Sequence, residues 1–284
     1  MHLGSLIAAT ASYLQARVNR GEWLLRIENI DPPRELAGAD LQIIESLRAH
    51  GFHWDGDVLY QNNSIERCRA VIADLLARDL AYPCTCSREQ IRKVARSGPV
   101  GLIYPGTCRG NHGGDMIDAP HAIRVRTTDA RVAFDDALRG RIDCDIPSRI
   151  GDFIVRRKDG LVAYSLAVVI DDHAQGITEV VRGADLLDFT PAHLHLQNIL
   201  GLSTPHYMHV PIAVNAAGDK LSKQTKAPPI DDATPAANLV RCLQFLRQTP
   251  PATLATAKLA DVWDWSVAHW DPVDLAAMRE SPAF

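Results

Sequence analysis

His2-Leu3-Gly4-Ser5 stands at the start of the chain, and from Ser5 to Asn19 an alanine-rich stretch with an apolar stripe follows, stopping at Arg20-Gly21. A serine available as N-cap and a glycine at the end mark this stretch as a helix entered from a loop. The first backbone N–H groups and the positive end of the helix dipole then face whatever lies before the helix, which makes a ready phosphate site. Gly4 permits close approach and His2 is a donor for an anion. Working outward, Trp23 to Ile27 alternates as a strand, Ile30-Asp31-Pro32-Pro33 breaks it, and Gly38 to His50 reads as a second helix closed by Gly51. Ser64 to Asp79 is a third, amphipathic helix that leads through Ala81-Tyr82-Pro83 into a pair of cysteines. Strands alternating with helices imply a parallel sheet and an α/β fold.

From Cys84 to Asp159 the pattern changes to loops and short strands, with Ala122 to Thr127, Arg131 to Phe134 and Phe153 to Arg157 the clearest, so this stretch reads as an inserted module. Leu161 to Ile170 is almost wholly apolar, as expected of a strand buried on both faces, and Thr178 to Arg182 follows as another. Thr190-Pro191 supplies a cap and a first-turn proline to a helix ending at Gly201. Tyr207 to Val214 is a strand running into a turn around Ala217-Gly218-Asp219. Beyond Ala227-Pro228-Pro229 the chain reads as helical, through Ala236 to Arg247 and a stretch bearing Trp263, Trp265 and Trp270.

Hydrophobic residues make up 46% and charged residues 23% of 284, a mix that excludes a disordered, collagen-like or coiled-coil chain. No stretch approaches the roughly 18 apolar residues of a membrane span, and the first residues lack the order of a signal peptide, so a soluble cytoplasmic protein without membrane contact is expected. The net charge of −4 argues against a dedicated nucleic-acid coat. It hides an asymmetry, because Arg88 to Lys158 holds 14 basic against 9 acidic side chains while the remainder holds 16 against 25. A basic middle on an acidic body suits contact with a phosphate backbone at one place.

Two further segments carry chemistry. Gly218-Asp219-Lys220-Leu221-Ser222-Lys223-Gln224 puts two lysines and a serine in a turn, equipment for neutralising a polyphosphate as pyrophosphate leaves. Of the six cysteines, at 68, 84, 86, 108, 144 and 242, three fall within a 25-residue window, which points to a metal more than to disulfides. Cys84, Cys86 and Cys108 with one more donor satisfy tetrahedral zinc, and both Tyr104 and His112 lie close enough in sequence to be that donor.

His-x-Gly-x opening the first helix and Lys-x-Ser-Lys-x after the last sheet strand resemble the two signature segments of class I aminoacyl-tRNA synthetases. Leu25-Arg26-Ile27-Glu28-Asn29-Ile30-Asp31, Tyr164 to His173 and Gly176 to Gly183 resemble segments of the glutamyl-tRNA synthetases within that class. The chain stops at Phe284 and carries Ser5 where those enzymes usually have a second histidine, and so resembles their short paralogues that glutamylate queuosine. The resemblance implies a class I Rossmann-type catalytic domain over 1–83 and 160–224, an inserted zinc-bearing, acceptor-type module over 84–159 and a C-terminal helical segment over 225–284. It implies that ATP activates L-glutamate to the adenylate, with transfer to queuosine in the anticodon of tRNA(Asp) by a monomer. Glutamate would meet Glu28, Tyr164 and Arg182. ATP would meet His2, Gly4, Ser5 and Lys223, with Lys220 in support and Mg2+ carried by the nucleotide. The family pattern makes Tyr104 the fourth zinc ligand. Asp172 and His173 are read as sheet-end scaffolding. Family members also carry a strand and a Ser/Pro/Gly-rich turn ahead of the first motif, so the first strand is expected to be missing, through truncation of the sequence at its start. A truncated acceptor-end glutamyl-tRNA synthetase, a non-catalytic tRNA-binding remnant and a nucleotidyltransferase acting on a small molecule are the rival readings.

Overall fold

The computed structural model describes residues 1–112, 119–215, 218–221, 227–278 and 280–282. Helix α1, Leu3–Val18, begins three residues earlier than a cap at Ser5 would place it. His2, not Ser5, is its N-cap: the imidazole Nδ1 accepts the Ser5 N–H at 3.2 Å. Strand β1 is only Arg26–Ile27, and it pairs in parallel with β2, Leu59–Tyr60, across helix α2, Ala39–Ala49. Helix α3, Ile65–Ala77, buries Cys68, Ile72 and Leu75 and feeds β3, Ala81–Cys84, buried throughout.

The stretch that follows holds α4 (Arg88–Val94), the hairpin of β4 (Arg96–Gly98) and β5 (Gly101–Ile103), then β6 (Ala122–Val125), β7 (Arg131–Asp136), β8 (Gly140–Asp145), α5 (Ile146–Arg149) and β9 (Ile154–Arg156). Apart from the β4–β5 hairpin, these strands join sheets with their flanks. β6 pairs antiparallel with both β3 and β9. The β7–β8 hairpin meets β11, His206–Val210, through Tyr207 opposite Asp136, and β11 runs parallel to β10, Glu179–Gly183.

Between β9 and β10 the expected strand is a helix. Tyr164–Ala174 forms α6, with Leu166 to Asp171 all buried. An element covered on every side has no polar stripe, so its apolar run carries no helical period and looks like a doubly buried strand. Helix α7, Thr190–Leu200, has its proline in the first turn and Gly201 at its C-cap, as predicted. The single strand expected over Tyr207 to Val214 is cut in two at Pro211, which has no N–H to give a ladder, leaving β11 and then β12, Ile212–Val214. Helices α8, Pro235–Phe245, and α9, Leu259–His269, and the short β13, Glu280–Pro282, parallel to β12, complete the described chain.

The largest core joins Leu6, Ile7 and Leu14 of α1 to Leu239 and Leu243 of α8. Beside it Tyr13, Trp23, Phe52 and Trp263 cluster with centroids 4.7 to 5.4 Å apart, Trp23 stacked on Phe52, Tyr13 tilted against Trp263 and the other contacts edge to face. The second core buries α6 against α3 and β9. No described helix is long and apolar enough to cross a membrane. Along α1 a groove separates Trp23 to Leu25 from Ile177 to Val181, so β1 and β10, each the outer strand of its sheet, border the same open channel.

Candidate functional site

Two segments more than two hundred residues apart meet at the start of α1. His2 forms a β-bridge to Pro229, Ile230 N–H donates to the Met1 carbonyl at 3.0 Å, and Leu221 N–H donates to the Ala213 carbonyl at 2.8 Å. A Cβ on Gly4 would lie 3.3 Å from the His2 ring, a tight fit, and 3.5 Å from the Leu221 carbonyl, an ordinary contact, so the glycine chiefly makes room for the imidazole cap. Together they border a groove of about 470 Å³ that also exposes Ser5, Arg26, Arg182 and Lys220. Burial, then Lys220, holds the His2 imidazole below its ordinary pKa, so it is neutral. With Nδ1 accepting from the backbone, Nε2 carries the proton and donates to Ser5 Oγ at 3.1 Å, which leaves the serine hydroxyl free to donate outward. Lys220 pairs with Asp185 at 2.5 Å. Lys223, with Ser222 and Gln224, lies outside the described residues.

At the inner end of the groove Arg182, on β10, is held by an unusual set of partners. Its Nε donates to His209 Nε2 at 3.1 Å, and Nη2 donates to Thr190 Oγ1 at 2.8 Å and to the Leu186 carbonyl at 3.3 Å. Nη1 has only long contacts, to Tyr164 Oη at 3.5 Å and His193 Nδ1 at 3.4 Å. Every one of these acceptors is neutral. Burial, then Arg182 itself, keeps His193 well below its ordinary pKa, and burial likewise lowers His209. No carboxylate among the described residues forms an ion pair with Arg182, and a half-buried guanidinium in that state is complementary to an incoming anion.

The opposite imbalance lies beside it. Arg26 pairs with Asp172 at 2.7 Å and approaches Glu28 at 3.7 Å, and Asp171 is buried next to them. Two carboxylates thus share one arginine, and a third, Asp171, which accepts from Gln61 at 2.9 Å, adds its charge from behind. Desolvation raises Asp172 above the usual carboxylate range and acts in the same direction on Glu28, whose side chain is still 41% exposed; Arg26 opposes this in both, and the other carboxylates of the cluster reinforce it. Tyr164, the first residue of α6, senses both ends, and burial pushes its hydroxyl up to about 12. Asp172 therefore sits on a helix and fixes Arg26, in place of the sheet-end role expected of it, while His173 is exposed on the same helix.

The cysteines form a separate centre. The Sγ atoms of Cys84, Cys86 and Cys108 lie within 4.8 Å of one another, with Cys86 and Cys108 at 3.5 Å. The Tyr104 hydroxyl is 3.3 Å from both Cys84 and Cys86 and accepts the Cys108 N–H at 2.8 Å. Sulfurs around tetrahedral zinc stand about 3.8 Å apart, as Zn–S bonds of about 2.3 Å require, so the donor set fits that ion. His112 is apart from this cluster, exposed and facing Asp79 at 3.3 Å. Burial raises the Cys108 thiol, but the Tyr104 hydroxyl, the Thr85 N–H and the other thiols outweigh it and leave Cys108 at about 7. The loop is held from outside. Ser87 and Gln90 close a capping box at the start of α4, and Arg124 stacks on the Tyr104 ring at 3.8 Å. The buried Asp152 accepts from Arg109 at 2.8 and 2.9 Å and from Tyr82 at 2.5 Å. Gly151, at φ 72°, bridges to Tyr104, whose backbone would meet a Cβ at 3.1 Å.

Residues 1–235 match the family model of tRNA synthetases class I (E and Q), catalytic domain, and the chain belongs to that family. Within it, the chain is similar to proteins called glutamyl-Q tRNA(Asp) synthetase. It is 48% identical to that of Pseudomonas aeruginosa over 271 residues, 95% of this chain and 89% of the relative, and 43% identical to that of Aromatoleum aromaticum over 283 residues, 100% and 89%. The solved glutamate-tRNA synthetase of Elizabethkingia anophelis shares the fold, with a TM-score of 0.77 at 21% identity over 99% of this chain. The chain spans 65% of that solved chain. Arg26, Asp136, Thr190, His193 and His209 surround the site without having been expected there. Arg26 lies inside a quoted family segment, but nothing local to Asp136 announces a partner 73 residues away.

Proposed function

We propose that the protein activates L-glutamate with ATP and transfers it to queuosine in the anticodon of tRNA(Asp). The observation that carries this reading is the charge pattern around Tyr164. A guanidinium at Arg182 with no carboxylate paired to it among the described residues lies beside Glu28 and Asp172, two carboxylates that share Arg26, a pattern that suits an amino acid bearing both carboxylate and ammonium. Arg182 and Tyr164 would take the glutamate side chain and Glu28 the α-ammonium. The α-carboxylate, ionised at neutral pH, then attacks the α-phosphorus of ATP without a protein base, and pyrophosphate leaves. Ser5, the N–H groups opening α1 and Gly4 beside them would receive the phosphates, with His2 orienting the serine hydroxyl. Lys220 and Lys223 would stabilise the charge that develops, and Mg2+ would enter with ATP. A hydroxyl of the queuosine diol would then displace AMP from the glutamyl carbonyl.

The wider reading follows the same line. Residues 1–83 and 160–224 serve as the Rossmann-type catalytic domain, 84–159 as the acceptor-type module and 225–284 as the helical segment of a cytoplasmic monomer. Zinc on Cys84, Cys86, Cys108 and Tyr104 would knit the module together without entering the reaction. The channel between β1 and β10 would accept the family's additional parallel strand, since both bordering edges lack a ladder partner among the described residues. The test is transfer of radiolabelled glutamate, with ATP, to tRNA from queuosine-competent and queuosine-deficient cells. Label on the first alone supports the proposal, label on both assigns acceptor-end charging, and label on neither refutes the transfer.

A further inference from the structure

Arg182 is aimed by a chain of buried groups that starts in the inserted stretch. Asp136, at the end of β7, and His209, on β11, are fully buried, and Asp136 Oδ2 lies 2.6 Å from His209 Nδ1. The Asp136 carboxylate also accepts the N–H groups of Leu138, Arg139 and His209. Those donors and the ring hold it below the ordinary carboxylate range against the cost of burial, so it is ionised and can only accept. The ring must therefore carry its proton on Nδ1 and present a lone pair at Nε2, a tautomer set by the partner on the other nitrogen. Two donors converge on that lone pair, Arg182 Nε and the Thr190 hydroxyl, each at 3.1 Å. Thr190 Oγ1 in turn accepts from Arg182 Nη2 at 2.8 Å. The Nε–Nη2 edge of the guanidinium is thus clamped, and its Nη1 end, with contacts no shorter than 3.4 Å, is left to the ligand. The Tyr207 ring, 5.5 Å from the guanidinium carbon, backs the plane.

We propose that Asp136, His209 and Thr190 are positioning residues that fix the plane and direction of Arg182 for a ligand carboxylate without neutralising its charge. The proposal rests on the reading of Arg182 as the glutamate contact. The two acceptors nearest the guanidinium are an imidazole nitrogen and a hydroxyl, which orient by hydrogen bonding. A carboxylate in direct contact would orient equally well but compete with the ligand for the same positive charge. In this hydrogen-bonded series the carboxylate, Asp136, stands one imidazole further back.

The test is glutamate-dependent ATP–pyrophosphate exchange with the full chain, measuring KM for glutamate and for ATP separately in Thr190→Val, Thr190→Ser, His209→Asn, His209→Gln and Arg182→Ala, with thermal unfolding alongside. Serine keeps the hydroxyl, and glutamine keeps an acceptor near the Nε2 position. Valine and asparagine remove them. Loss of an orienting bond to a charged group is expected to raise the glutamate KM by about tenfold in Thr190→Val and His209→Asn, with the ATP KM within about twofold of the parent. The serine and glutamine variants are expected to recover most of that loss. If Arg182→Ala raises the glutamate KM while Thr190→Val, folded, does not, the positioning role is overturned and the glutamate contact stands. A rise in both KM values together, or no recovery in Thr190→Ser, also overturns it. An unchanged glutamate KM in Arg182→Ala refutes the underlying contact itself.

Discussion

Replacing Arg182 by alanine separates the two things this side chain does. Toward a ligand, it removes charge-assisted hydrogen bonds of about 1.5 to 3 kcal/mol, which at about 1.4 kcal/mol per tenfold is roughly a 10- to 150-fold rise in glutamate KM. Toward the protein, it strands acceptors. The Thr190 hydroxyl remains for either His209 Nε2 at 3.1 Å or the Leu186 carbonyl at 3.4 Å, but His193 Nδ1 loses its donor and lies in a residue only 2% exposed. One buried acceptor left without a partner costs about 1 to 3 kcal/mol, so the variant should be less stable than the parent yet folded. Arg182→Lys keeps the charge but not the planar fork, and should fall between parent and alanine in glutamate KM. The assay is glutamate-dependent ATP–pyrophosphate exchange across a glutamate titration at saturating ATP, with thermal unfolding to confirm folding. A folded Arg182→Ala protein whose glutamate KM stays within about twofold of the parent would refute the assignment of the free guanidinium to the substrate.

Further expectations concern the metal centre and the buried histidines. Protein purified without chelator should carry about one zinc per chain by elemental analysis, and Cys86→Ser should reduce that content and lower the melting temperature. Gly151→Ala forces a left-handed backbone on a residue with a Cβ and presses 3.1 Å against the Tyr104 backbone, so a loss of about 2 kcal/mol in denaturant unfolding is expected, together with weaker zinc retention. His193 and His209 are held below their ordinary pKa by burial, so the unfolded chain binds their protons first as the pH falls. Their stabilisation is complete above about pH 6.5 and is lost as the pH drops below it toward the folded pKa values. Denaturant midpoints should therefore fall between pH 7.5 and 5.5. Glu28 and Asp172, raised by burial, act in the opposite sense, so a shallower dependence in His193→Gln is what assigns the effect to the imidazole.

Much of the site was legible because its pieces are local. A helix start is written in four consecutive residues, and a thiol cluster in the spacing of Cys84, Cys86 and Cys108. The choice between Tyr104 and His112 was not, since both lie within a few residues of Cys108. The fold turns Tyr104 inward, through its bridge to Gly151, and leaves His112 on the surface beside Asp79. The misreading of α6 has a similar origin. Hydrophobic pattern reports how many faces an element buries, and α6 is enclosed by α3, α7 and β9, so its period vanished with its polar face.

By itself, then, the order of residues determined the elements that depend on neighbours a few positions apart, such as α1 with its anion-facing start, α7 between Pro191 and Gly201, and the thiol pair. It also carried the segments by which the chain resembles the class I enzymes. What only the tertiary structure decided is which charges remain unpaired. Arg26 and Arg182 are both arginines near short strands, indistinguishable in isolation. The fold brings Asp172 of α6 onto the first, while it surrounds the second with His193, Thr190 and His209 and keeps Asp136 one imidazole away. Net charge at a site is a sum over residues distant in sequence, and only packing brings those terms within reach of one another.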